Sequence, residues 1–154
     1  MPRRLGARIT CGVMVIAGFL LAAPARAQRV VCSKAMNART CDLLADPVER
    51  QLKQLAASAD WQWVILSEKD WGRATRMFRN ADKTTIAFTV LKLRITFLNE
   101  EFLQRNRPWP VLDVLAHELG HIRCTCGSEH EAERIGNQLL TAHNVAPKDR
   151  PALP

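Results

Sequence analysis

The run His117-Glu118-Leu119-Gly120-His121 constrains this chain more than any other stretch. On a helix, His117 and His121 lie one turn apart on one face. Two imidazoles can then grip a single Zn²⁺ while Glu118 projects beside them toward a water at the metal. Metal-assisted hydrolysis needs this arrangement. The flanks support a helix: Pro110 suits a first turn, and Val111, Leu112, Val114, Leu115, Leu119 and Ile122 supply apolar positions without an internal proline. The plainer alternative is two histidines on the polar edge of an amphipathic helix, with Glu118 an ordinary solvated acid.

The chain has 154 residues and 47% hydrophobic content, which suits one domain with a real core. Residues 1–27 are expected to lie outside it. Arg3, Arg4 and Arg8 make a basic start, residues 11–23 an apolar stretch short for a membrane span, and Ala25-Arg26-Ala27 a small-x-small cleavage site. This pattern reads as a secretory signal peptide, and an uncleaved anchor is the competing reading. No second long apolar run follows, so no stable membrane insertion is expected after cleavage. Without those residues the charge balance is +3, from 18 basic and 15 acidic side chains. No basic stripe interleaved with aromatics appears, which sets nucleic acid aside as a partner. Nothing in the chain specifies an oligomeric state.

Cys32, Cys41, Cys124 and Cys126 form an even set suited to an oxidising compartment, the periplasm or the outside of the cell. One residue separates Cys124 from Cys126, so a bond between them looks strained. The expected disulfides join each of them to Cys32 or Cys41, stapling the N-terminal segment beside the motif helix. Thiolate ligation of zinc is the competing use.

Local signals outline the remaining elements. Asp46, Pro47 and Glu49 read as the cap and first turn of a helix near residues 47–58. Trp61, Trp63 and Ile65 alternate as in a half-buried strand, their rings more suited to core packing than to a substrate groove, before residues 67–70 turn the chain. A turn follows at Asn80-Ala81-Asp82. Residues 84–90 and 93–98 then read as two strands or one bent strand, and Asn99 caps a short helix through Leu103. Glu100 and Glu101 belong to that helix's dipole rather than to catalysis. After His121, Gly127 can end one helix and Ser128 cap the next, whose apolar stripe includes Ile135, Leu139 and Leu140. Antiparallel packing of these two helices would bring an acid of the second one's first turn to His121.

Glu131 is the expected third ligand, although a position three residues after Ser128 equally suits the acid of a capping box. Glu133 is a candidate for supporting a histidine from behind. The chain contains no tyrosine, so His143, His130 and Arg134 are the side-chain candidates for stabilising an oxyanion, alongside a backbone amide.

Residues 114–122, Val-Leu-Ala-His-Glu-Leu-Gly-His-Ile, and residues 131–136, Glu-Ala-Glu-Arg-Ile-Gly, resemble the gluzincin metallopeptidases. The most similar members are the small minigluzincins, the ImmA/IrrE type and the catalytic domain of the CAAX-protease-like group. Asn80-Ala81 and residues 93–98 are similar to that family's strand ahead of the motif helix. The likeness covers roughly residues 80–140. It implies His117, His121 and Glu131 as zinc ligands, Glu118 as general base, Glu133 as the accompanying acid, a peptide or protein substrate, and an edge strand pairing with the substrate backbone.

The fold expected is α+β: an N-terminal helix, a small mostly antiparallel sheet and a C-terminal helical hairpin bearing the site, within residues 28–143, followed by a Pro-containing tail at 144–154. The expected activity is zinc-dependent peptide hydrolysis outside the cytoplasm. An exported, disulfide-stapled zinc-binding module without catalysis is the alternative, and a metal-free binding protein a third.

Overall fold

The computed structural model describes residues 30–78, 85–105 and 108–143. The expected signal peptide at 1–27, the expected turn at 80–82 and the expected tail at 144–154 lie outside the described residues. The order is β1 (Val30–Cys32), α1 (Ala38–Gln54), β2 (Gln62–Leu66), α2 (Glu68–Phe78), β3 (Ala87–Val90), a 3₁₀ turn (Leu91–Leu93), β4 (Ile95–Asn99), α3 (Glu100–Arg105), α4 (Pro108–Cys124) and α5 (Glu129–Ala142). The class is α+β, with a four-stranded sheet in the order β1-β2-β4-β3.

The sheet is mostly parallel, which corrects the antiparallel expectation. β1 pairs parallel with β2, β2 pairs parallel with β4, and only β3 and β4 run antiparallel. Parallel neighbours need a crossover, and helices supply it here. α1 joins β1 to β2. α2 lies in the connection from β2 to β4, on residues whose start the sequence suggested was a simple turn. Ser67 is the cap: the Asp70 amide donates to Ser67 Oγ at 3.4 Å, and Ser67 Oγ donates to Asp70 Oδ2 at 3.2 Å. That reciprocal pair opens a helix rather than closing a turn.

α1 also starts earlier than Pro47 suggests. Asn37 caps it, accepting from the Thr40 amide at 2.8 Å, and Pro47 falls inside the helix. An internal proline deprives the carbonyl four residues back of its donor. That carbonyl belongs to Leu43, a solvent-facing residue.

β2 is buried on both faces, as suits a central parallel strand. Trp63 and Ile65 join Leu52, Leu98, Leu115 and Leu119 in the main core. Val64 and Leu66 face the other way, against Trp71 of α2, Phe88 and Phe97. Each fully buried side chain of this kind contributes about 1.5–3 kcal/mol. The main core therefore anchors α4, and with it the motif. No helix among the described residues is long and apolar enough to cross a membrane.

The cysteines pair as Cys32–Cys41 and Cys124–Cys126, against the expectation that they would join the two ends of the domain. Cys32 ends β1 at one edge of the sheet, whereas β3 forms the other edge. Three strand spacings, roughly 14 Å, separate those edges. Cys41 lies on α1, which packs on β1 and brings the two Cα atoms to 5.8 Å. Thr125 adopts a left-handed φ of 52°, and this bend brings the Cα atoms of Cys124 and Cys126 to 5.1 Å. Such pairs are compatible with an oxidising compartment.

Candidate metal centre

The site is assembled where α4 and α5 meet. α4 ends at Cys124, and Thr125 rather than Gly127 takes the left-handed position; no described glycine has positive φ. The Cys126 amide then donates to the His121 carbonyl at 3.3 Å, closing the helix end. Ser128 caps α5 as expected, accepting from the Glu131 amide at 3.3 Å. Small residues let the helices approach. Gly120 of α4 lies against the Ala132 backbone, and Gly136 of α5 against that of Ala116.

This close hairpin places Glu129, not Glu131, against the two imidazoles. Glu129 Oε2 lies 3.0 Å from His117 Nε2, and Glu129 Oε1 lies 3.5 Å from His121 Nε2. The reason is helical geometry. At about 100° per residue, positions 129 and 133 lie within about 40° of each other, while 131 points some 200° away from 129. Glu131 instead binds Arg134, with Nε to Oε2 at 2.9 Å and the terminal nitrogen to Oε1 at 2.5 Å. Those bonds hold its carboxyl below the usual carboxylate range. Glu133, the expected supporting acid, comes within 3.6 Å of His117 Nδ1.

His117, His121 and Glu129 form a group that could hold a metal ion. The second nitrogen of each ring tests the fit. His121 Nδ1 is 3.0 Å from the Cys126 carbonyl, which can only accept, so this nitrogen carries the proton. Nε2 of the neutral ring then presents a lone pair on the side of Glu129. His117 Nδ1 is buried without a hydrogen bond, with only the Glu133 carboxylate nearby. Lone pairs and carboxylate oxygens facing one another require a positive charge between them, either ring protons or a cation. One ligand atom from each of the three residues lies within 4.8 Å of the other two, close enough for a single ion to be held between them. Two imidazoles and a carboxylate are a donor set that a metal ion could use.

Glu118 is 5% exposed and sits beside the rings without joining that group. Burial pushes its carboxyl above the ordinary range. The Thr89 hydrogen bond and the two imidazoles work against that rise, and Glu129 adds to it. Thr89 Oγ1 lies 2.6 Å from Glu118 Oε2. Thr89 is on β3, whose alternation turns it toward α4 with Ala87. β3 also borders a cleft of about 640 Å³, lined by His117, Glu118, His121 and Glu129, with Phe78 and Phe88 on its apolar side.

The three side chains expected to meet an oxyanion are not brought here. His130 is exposed, Arg134 is engaged by Glu131, and His143 ends α5 with its amide on the Leu139 and Leu140 carbonyls. None of them lines the cleft. Sequence reasoning missed Glu129, Thr89 and the Cys126 carbonyl. Glu129 could have been found by phasing α5 from Ser128, since residues 129 and 133 share the face turned to α4. Thr89 carries no local signal, because its contact spans 29 residues. Comparison with protein-family models, with curated proteins and with solved structures finds no match to this chain.

Proposed function

We propose that this protein is an exported zinc-dependent peptidase of the gluzincin type, with His117, His121 and Glu129 as the residues that would hold the ion. The observation that carries this reading is Glu118: a buried carboxylate adjacent to a two-histidine, one-carboxylate group, lining an open cleft. A structural zinc site uses four protein ligands and needs no base beside them. Here three candidate ligands converge, and a fourth group, the Glu118 carboxylate, stands apart from them.

Zinc, when bound, would polarise the scissile carbonyl and make the attacking water more acidic. The chain's own residues do the rest. Glu118 accepts the proton that water loses on attacking the carbonyl carbon, and hands it to the departing amine. Its burial suits the first half of this exchange, because a carboxylate raised above its ordinary range is a stronger base toward the proton of the water; the Thr89 hydrogen bond and the two imidazoles temper the rise. The Cys126 carbonyl fixes the His121 ring from behind, which sets the direction of its Nε2, and Glu133 lies 3.6 Å from His117 Nδ1. A backbone amide of the edge strand β3, which borders the cleft, would serve the oxyanion. The disulfides and the N-terminal sequence pattern support export.

A peptide library incubated with the oxidised, zinc-loaded protein tests the reading. Cleavage that disappears with a chelator and with Glu118→Gln is expected, the latter loss being on the order of 10²–10⁴-fold. Bound zinc with no cleavage in any library would assign a non-catalytic zinc-binding module instead.

A further inference from the structure

Behind Glu118 runs a chain of hydrogen bonds across the sheet, buried at its Trp61 end and part-buried at Thr89. Trp61 Nε1–H donates to Thr96 Oγ1 at 3.0 Å. The Thr96 and Thr89 hydroxyls are 2.8 Å apart, and Thr89 Oγ1 is 2.6 Å from Glu118 Oε2. Thr89 and Thr96 are direct cross-strand partners of β3 and β4, so the sheet register itself sets their contact.

The chain has one direction when Glu118 is ionised. An indole can only donate, and a carboxylate can only accept. Thr89 therefore spends its single hydrogen on Glu118, and Thr96 must donate to Thr89 while accepting from Trp61. Every hydroxyl is used as both acceptor and donor. Thr96 is fully buried and Trp61 is 7% exposed, so the link between them is shielded from competing water, while Thr89 is half-buried at the wall of the cleft.

We propose that Thr89 is a positioning residue for Glu118, holding Oε2 so that the carboxylate keeps one rotation beside the imidazole pair, with Thr96 and Trp61 orienting the Thr89 hydroxyl. The inference deepens, and rests on, the peptidase reading above. The terminal torsion of a glutamate is broad and two-fold, so a free carboxylate would sample many orientations. A base must be within hydrogen-bond reach of the proton it takes, and a small misplacement costs rate steeply. A Thr89–Thr96 pair serving only to satisfy itself within the sheet would not need to reach the carboxylate.

Two readouts on the oxidised full chain test this. The first is kinetic, on the zinc-loaded protein. Thr89→Val should lower kcat about 10- to 100-fold with KM and zinc content unchanged, and Thr89→Ser, which keeps the hydroxyl, should restore it. Equal kcat in Thr89→Val and the parent protein would overturn the proposal. The second readout is the indole N–H resonance of Trp61, assigned by its loss in Trp61→Phe. It should shift in Thr89→Val, return in Thr89→Ser and shift in Glu118→Gln, whose fold needs no change at Thr89. A Trp61 resonance unmoved by Glu118→Gln would overturn the chain even if Thr89→Val does not fold. If the parent protein cleaves no peptide, the peptidase reading falls by itself, and the resonance alone decides whether Trp61 and Glu118 are linked.

Discussion

A β-carbon placed on Gly120 would lie 2.1 Å from the Ala132 carbonyl oxygen. No real contact of that kind survives, so the backbones of α4 and α5 meet only because residue 120 has no side chain. In a solvent-exposed helix, Gly→Ala gains up to about 1 kcal/mol. At this position the sign reverses. Gly120→Ala should destabilise the fold by about 3 kcal/mol, because the obstacle is backbone and cannot rotate away. It should also weaken metal binding by moving Glu129 off the imidazoles. Denaturant unfolding followed by circular dichroism checks the first effect.

Thr125 offers the opposite case. Its φ of 52° is unfavourable for a β-branched residue, and Gly removes that cost. Thr125→Gly should stabilise the oxidised protein by about 1 kcal/mol, read as a higher denaturation midpoint at unchanged slope. The Cys124–Cys126 bond already limits the unfolded chain here, which keeps the usual entropic penalty of glycine small.

The disulfide pattern has its own consequence. Non-reducing proteolysis should release Cys32 joined to Cys41, and Cys124 joined to Cys126, with no peptide linking the two ends of the domain. Replacing Cys32 and Cys41 together by Ser should cost about 2–3 kcal/mol, the loop-closure value for nine residues of separation. The shorter Cys124–Cys126 loop should cost about half of that, again by denaturant unfolding.

Glu133 and Cys126 differ in how they support the rings. The carbonyl of Cys126 cannot be removed by mutation, but the Glu133 carboxylate can. Glu133→Gln should lower zinc affinity about 10-fold by leaving His117 Nδ1 without its nearby acid, measured by competition with a chelator.

What the sequence disclosed is what local chemistry encodes. The helix around His117–His121, the strand at Trp63 and Ile65, the cap at Asn99 and the cap at Ser128 each rest on neighbouring residues, and each is present. What it concealed depends on partners far along the chain. Pro47 looked like a helix start, yet tertiary packing of Val48 and Leu52 carries α1 straight through it. Ser67 and Asp70 read as a turn because a helix N-cap and a turn share residue types. The antiparallel expectation followed from missing that helix and β1. The choice between Glu129 and Glu131 turned on a two-residue difference in the phase of α5, while Thr89 meets Glu118 only because β3 is the edge strand beside α4.

Zinc stoichiometry of the oxidised protein, measured beside Glu118→Gln, Glu129→Gln and Glu131→Gln, decides whether the helical hairpin is a metal centre. One zinc per chain should be found in the parent protein, in Glu118→Gln and in Glu131→Gln, and should be lost at limiting metal in Glu129→Gln. No zinc in the parent protein, or full retention in Glu129→Gln with loss in Glu131→Gln, would contradict the site described.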